Sequence, residues 1–138
     1  LRLGNQTIWD ILYEGVIWNS SAWFELLDKE KEDDPDVYQP KGNVTEQGII
    51  KYLAKATSEA DCVNKKADLS EDKIQCIIPF TSKRKMGSVV VKVSEKIGTD
   101  KEIRVYTKGA PDMLLERCTY ATTSDGTVRN MRRKSKSK

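Results

Sequence analysis

Three short stretches of this 138-residue chain gather the residue types that could do chemistry. Gly42-Asn43-Val44-Thr45-Glu46 sets a carboxylate just behind Asn43 and Thr45, either of which can cap a helix. Pro79-Phe80-Thr81-Ser82-Lys83-Arg84-Lys85-Met86-Gly87-Ser88 puts an aromatic ring, hydroxyls and cations on one bend between two apolar runs. Lys108-Gly109-Ala110-Pro111-Asp112 places a cation before a glycine that permits a tight backbone and a proline that presets a helical φ. Taken singly, each has a plainer structural reading: a capped helix, a charged turn, a strand-to-helix turn.

Other chemistries are absent. The chain has no histidine, which removes Ser-His and Cys-His nucleophile pairs, histidine bases and histidine-ligated metals together. Cys62, Cys76 and Cys118 are odd in number, widely spaced and without a C-x-x-C pair, which fits reduced thiols better than a disulfide framework or a zinc site. Neither GxxxxGK[ST] nor GxGxxG occurs, so a nucleotide would not be held by a glycine-rich phosphate loop.

The elements that must position these stretches follow from periodicity. Ile8, Ile11 and Leu12 predict a helix to about Tyr13, and Trp9, Trp18 and Trp23 read as packing residues. Residues 28–40 are acidic, hold two prolines and read as an exposed loop. Ile49, Ile50 and Leu53 share one face of a helix over 43–56, with Asn43 or Thr45 as its cap and Glu46 in the first turn. Residues 57–72 read as an irregular connection or a short second helix. The period then changes: 74–80, 88–93 and 102–108 are β-rich, and their spacing predicts an antiparallel meander. A helix over 110–117 opens at Pro111, with Met113, Leu114 and Leu115 inward, and Asp125-Gly126 marks a turn. The fold class is α+β, an antiparallel sheet with flanking helices.

Charge is unevenly placed on a chain of net charge +3. Residues 28–36 hold six acids, whereas residues 129–138 hold six bases and no acid. Without that tail the body is mildly acidic, which argues against a nucleic-acid footprint over the whole domain. No apolar run approaches the roughly 18 residues of a membrane helix. The expected organisation is a domain over 1–128 with its core motifs in 43–120, followed by a basic tail over 129–138.

In their order, the three stretches resemble the nucleotide-binding domain of P-type cation-transporting ATPases. Gly42–Glu46 is similar to the family's G-x-x-T-E segment, the Phe80–Ser88 bend to its F-x-S-x-x-K-x-x-S turn, and Lys108–Asp112 to its K-G-A-P-E segment. The likeness is to the eukaryotic calcium and sodium/potassium pump branch, with the Gly-Asn before Thr-Glu leaning towards plasma-membrane calcium pumps.

The resemblance implies a nucleotide-binding set of Glu46, Phe80, Ser82, Lys85, Lys108 and Gly109. Phe80 would stack on adenine, a contact worth about 1–3 kcal/mol by analogy with base stacking in nucleic-acid complexes. Lys85 would lie along the base, and Lys108 would sit at the pocket floor. Gly109 would let the backbone approach the ligand, and Ser82 would hydrogen-bond it. Glu46 would either accept from the adenine amino group or hold a pocket lysine in place. ATP is the implied ligand, with Mg²⁺ in the full pump and its ligands outside this segment. The implied partners are phosphorylation and actuator domains of the same pump, with no nucleic acid, and the implied setting is the cytosolic domain of an integral membrane protein. The family's D-K-T-G-T aspartate is absent, so the segment would bind ATP without autophosphorylating or transporting. Family members continue past the K-G-A-P helix with further helix and strand and an arginine near the phosphates, so the domain is expected to be short at its C-terminal end. Two competing readings are a stand-alone adenine-nucleotide module and a basic-tail binder of nucleic acid or membrane surface, the latter expected to weaken steeply with salt.

Overall fold

Along 86–93, residues 87, 89 and 91 are buried while their neighbours are not, the period of a strand with one face on a core. The computed structural model describes residues 2–3, 6–93, 102–123 and 127–131. Their elements run β1 (Arg2–Leu3), β2 (Gln6–Thr7), α1 (Ile8–Trp18), β3 (Trp23–Leu26), β4 (Tyr38–Lys41), α2 (Val44–Ala54), α3 (Glu59–Ala67), β5 (Ile74–Thr81), β6 (Met86–Val93), β7 (Glu102–Gly109), α4 (Pro111–Leu115), β8 (Tyr120–Thr122) and β9 (Val128–Asn130). The fold is α+β, as the sequence predicts.

β5, β6 and β7 form the antiparallel meander, with β6 in the middle. The β6–β7 register is unbroken from Met86↔Gly109 to Val93↔Glu102. The β5–β6 register shifts between Ile78 and Thr81, around Pro79, which has no N–H to give the ladder. On the buried side Val89 and Val91 meet Tyr13, Ile17 and Trp18 of α1, Ile50 and Leu53 of α2, and Cys62 of α3. Burying each of these valines contributes about 1.5–3 kcal/mol. On the other side Ile78, Ile103 and Val105 remain exposed.

Several expectations change. α1 runs on to Trp18 because Tyr13, Glu14, Ile17 and Trp18 make one buried stripe at helical spacing. Of the three tryptophans only Trp18 is buried, whereas Trp9 and Trp23 are 42% and 46% exposed. The acidic loop ends earlier than residue 40. Tyr38–Lys41 pairs with Trp23–Leu26, and buried Phe24 lies opposite Pro40, which an edge strand tolerates. Of the two candidate caps, Asn43 is the one that closes α2, its side chain accepting from Glu46 N at 3.2 Å. Residues 57–72 contain a true helix, α3, capped by Ser58. In α4, Met113 and Leu114 are half-buried but Leu115 is 58% exposed. Arg129 and Asn130 lie in β9, opposite Ala121 and Tyr120, while the expected turn at Asp125-Gly126 falls outside the described residues.

Candidate functional site

A cleft of about 700 Å³ opens between the turn after α1, the start of α2, the end of α3 and the β5–β6 strands. That lies in the usual range for small-molecule sites. Glu46, Phe80 and Lys108 all line it, together with Lys66, Ile77 and Leu69. Three of the sequence-predicted residues, from three separate stretches, are thus brought together.

Glu46 is the most constrained of them. Asn43 starts α2 so that Glu46 falls in its first turn, where a carboxylate meets the positive end of the helix dipole. One carboxylate oxygen, Oε1, accepts from the Lys108 ammonium. The other, Oε2, accepts from Ser21 N at 2.6 Å, Ser21 Oγ at 2.5 Å and Ser20 Oγ at 3.4 Å. Burial pushes the carboxyl pKa up, but the bonds from Lys108 and Ser21 outweigh it and hold the group below its ordinary value of 4.5. Of the two roles the resemblance allows Glu46, the geometry contains the second: it grips a lysine. The pair also forms the wall to a neighbouring apolar hollow of about 310 Å³, edged by Ile11, Leu12, Val16 and Ile49.

Phe80 is presented differently. Its side chain is 55% exposed at the rim of the cleft. A Cβ on buried Gly87 would stand 2.9 Å from Phe80 N, so the bare glycine lets β6 lie close against the backbone that carries the ring.

Ser82, Lys85 and Gly109 do not line the cleft. Ser82 and Lys85 lie in the reversal between β5 and β6, where Lys85 N donates to Thr81 O at 2.7 Å and Thr81 Oγ1 accepts from Arg84 N at 3.3 Å. Lys85 has φ +52°, the left-handed region that costs a non-glycine residue about 1–2 kcal/mol. Gly109 ends β7 against that reversal. A Cβ there would meet Lys85 O at 2.5 Å, and the next residue, Ala110, donates its N–H to the same carbonyl at 3.0 Å.

Sequence reasoning missed Lys66, Asn19 and the two serines. Lys66 Nζ donates to Ser20 O at 2.7 Å and Ile17 O at 3.0 Å. Burial lowers its pKa below the ordinary lysine value, Lys108 lowers it further, and Glu46 offsets part of the shift. Asn19 Nδ2 donates to Tyr106 O at 3.0 Å and Gly87 O at 3.3 Å, which clasps the end of α1 to β6 and β7. No spacing signal marks these residues, because their partners lie 25 to 87 positions away in sequence.

Behind the cleft, Glu14 is buried and accepts from Tyr106 Oη, with Arg104 Nη1 at 3.5 Å and Lys65 Nζ at 3.7 Å. Burial, then the bond to Glu14, push the Tyr106 hydroxyl up to about 12. Among the described residues no group of three or more acids and cysteines could hold a metal, and the cleft's Glu46 is already paired, so Mg²⁺ does not fit the residues present.

An antiparallel meander backed by helices, with an aromatic ring and an anchored lysine at one cleft, makes this an α+β domain. The sequence profile of the P-type ATPase cytoplasmic domain N matches residues 7–138, and the chain belongs to that family. Among its relatives, human plasma membrane calcium-transporting ATPase 3 is 29% identical over 91% of this chain and 10% of its own. The plasma membrane-type calcium-transporting ATPase 5 of Oryza sativa subsp. japonica is 26% identical over 91% of this chain and 10% of its own. Plasma membrane calcium-transporting ATPase mca-1 of Caenorhabditis elegans is 35% identical over 64% of this chain and 7% of its own. The chain therefore spans about a tenth of the length of these calcium pumps. Among the described residues no helix is long and apolar enough to cross a membrane.

Proposed function

We propose that this domain holds the adenosine end of ATP for a calcium-transporting P-type ATPase. The observation that carries the reading is the convergence of an exposed Phe80 ring and a Glu46-anchored Lys108 ammonium on one cleft of ligand size. Phe80 offers a π-face for adenine, with the stacking contributing about 1–3 kcal/mol. Ile77 and Leu69 supply apolar surface around the base. Lys108 approaches the nucleotide from the floor, its ammonium held in place by Glu46. Lys85 closes over the base from the β5–β6 reversal. Its left-handed backbone supports this role, since strained backbone positions cluster at ligand-binding sites. Ser82, on the same reversal, hydrogen-bonds the nucleotide, and Gly109 keeps β7 tight against that reversal.

Phosphoryl transfer belongs to a separate domain whose aspartate accepts the γ-phosphoryl group, and closure of the two domains drives calcium through membrane segments. The segment alone binds ATP and does not hydrolyse it. Its partners are the phosphorylation and actuator domains of one pump, on the cytosolic side of the membrane.

Titrating ATP into the purified chain while following amide resonances tests this reading. Saturable shifts at Glu46, Phe80, Lys85 and Gly109, lost in Phe80→Ala and Lys108→Ala, are the expected result. A well-dispersed spectrum that ATP leaves unchanged would overturn it.

A further inference from the structure

A half-buried cation on α3, Lys66, reaches across to the end of α1, and nothing in the nucleotide reading uses it. The last carbonyls of a helix lack intrahelical partners, and at α1 two carbonyls in and after its last turn, Ile17 O and Ser20 O, accept from the Lys66 ammonium. A cation at this end also complements the helix dipole. Ser20 and Ser21 then turn back so that Ser21 N–H, Ser21 Oγ and Ser20 Oγ all donate to one oxygen of Glu46, whose other oxygen takes the Lys108 ammonium. The contacts form one chain: Lys66, the Ser20–Ser21 turn, Glu46, Lys108.

We propose that Lys66 is a positioning residue that fixes the Lys108 ammonium in the cleft by holding the Ser20–Ser21 turn against Glu46. Two of the three Lys66 N–H donors are committed to backbone carbonyls, so the side chain is occupied with protein rather than offered to a ligand. With Lys66 removed, Ser20 O loses the ammonium and Ile17 O keeps only the longer bond from Ser20 N at 3.4 Å, so the turn re-orients to find other donors. Ser21 leaves Glu46, which is then held by Lys108 alone, and the pair gains rotamers that the intact contacts exclude. Lys108 would reach the same ligand from a floor that is no longer preset, which weakens binding without removing a contact.

The consequence for affinity rests on the nucleotide reading, but the contacts themselves belong to the ligand-free protein and are tested there. The Ser21 amide, 2.6 Å from a carboxylate oxygen, makes a charge-assisted hydrogen bond and should resonate downfield of an ordinary turn amide. In Lys66→Met this resonance moves upfield before any ligand is added, and ATP binds about ten-fold more weakly. Lys66→Arg, which keeps the charge and the donors, restores both. Adding Lys66→Met to Glu46→Gln weakens binding little beyond Glu46→Gln alone, because the two act along one path. Should Lys66→Met not fold, Lys66→Gln is read by the same two signals.

An unmoved Ser21 amide in Lys66→Met overturns the proposal whether or not affinity falls. A fall in affinity with that amide in place would mean direct ligand contact by Lys66. An upfield shift in a protein whose wild type ignores ATP would uphold the Lys66 contacts and sink the nucleotide reading alone.

Discussion

The two sides of the cleft are built in opposite ways. On the α1–α2 side, Glu46, Lys108, Lys66 and the Ser20–Ser21 turn are held by bonds between residues far apart in sequence. On the β5–β6 side, Phe80, and Lys85 on the reversal beyond the cleft, are set by local devices: a register shift at Pro79, a glycine under Phe80, and a reversal closed by Thr81. The first side exists only once the chain has folded, and it presents its charge pre-oriented. The second is a short-range structure that leaves its ring more than half exposed. Binding would then combine a fixed electrostatic anchor with an open stacking surface, and the two should respond differently to mutation.

The largest expected effect breaks the long-range side at its root. Glu14→Ala leaves Arg104, Lys65 and the Tyr106 hydroxyl without their buried acceptor and should cost about 3–5 kcal/mol in urea or guanidinium unfolding. A cost below about 1 kcal/mol, the range of a surface pair, would show that this side is not held as described.

Next comes the local side. Phe80→Ala should weaken ATP binding by about 1–3 kcal/mol, read by calorimetry, while leaving the thermal midpoint nearly unchanged because the ring is mostly in water. A large drop in midpoint with intact affinity would reverse the assignment of the two sides.

Smaller still is the pH dependence of Glu46. Its folded pKa lies below 4.5, so its contribution is present above that value and is lost as pH falls through the lower folded pKa. Glu46→Gln should cost about 1–2 kcal/mol at neutral pH. It should also flatten the acid limb of a stability-pH profile just below pH 4.5. Tyr106 works in the other direction. Its contribution is present below its ordinary 10.0 and is lost as pH rises through about 12, so Tyr106→Phe should flatten the alkaline limb.

The smallest effect sharpens the contrast. Lys85→Gly relieves a left-handed backbone and should raise stability by at most about 1 kcal/mol while weakening ATP binding. Opposite signs for stability and affinity at one residue would mark a side chain kept for a ligand. A loss of both would make Lys85 an ordinary structural residue.

Much of this molecule is legible in the chain where the interactions are local. The β-rich runs 74–80, 88–93 and 102–108 give the meander, apolar spacing gives α2, and Pro111 gives the start of α4. The three chemistry-bearing stretches are visible as well, since each is contiguous. What was misread depended on distant partners. The continuation of α1 to Trp18 is decided by burial against the sheet, and Tyr38–Lys41 becomes a strand because Trp23–Leu26 lies alongside it. Thr45 and Asn43 are both able caps, and the choice between them turns on where the chain enters the helix from the β3–β4 hairpin.

By itself the sequence determined the fold class and the family, because periodicity and contiguous motifs are properties of short windows. Only the tertiary structure decided that Glu46 grips Lys108, that Lys66 sits behind both, and that Glu14 is buried among cations. A charged side chain takes its meaning from what surrounds it in space. In an extended chain every lysine is simply solvated, and the low dielectric that separates an anchor from a surface charge appears only when strands and helices close over it.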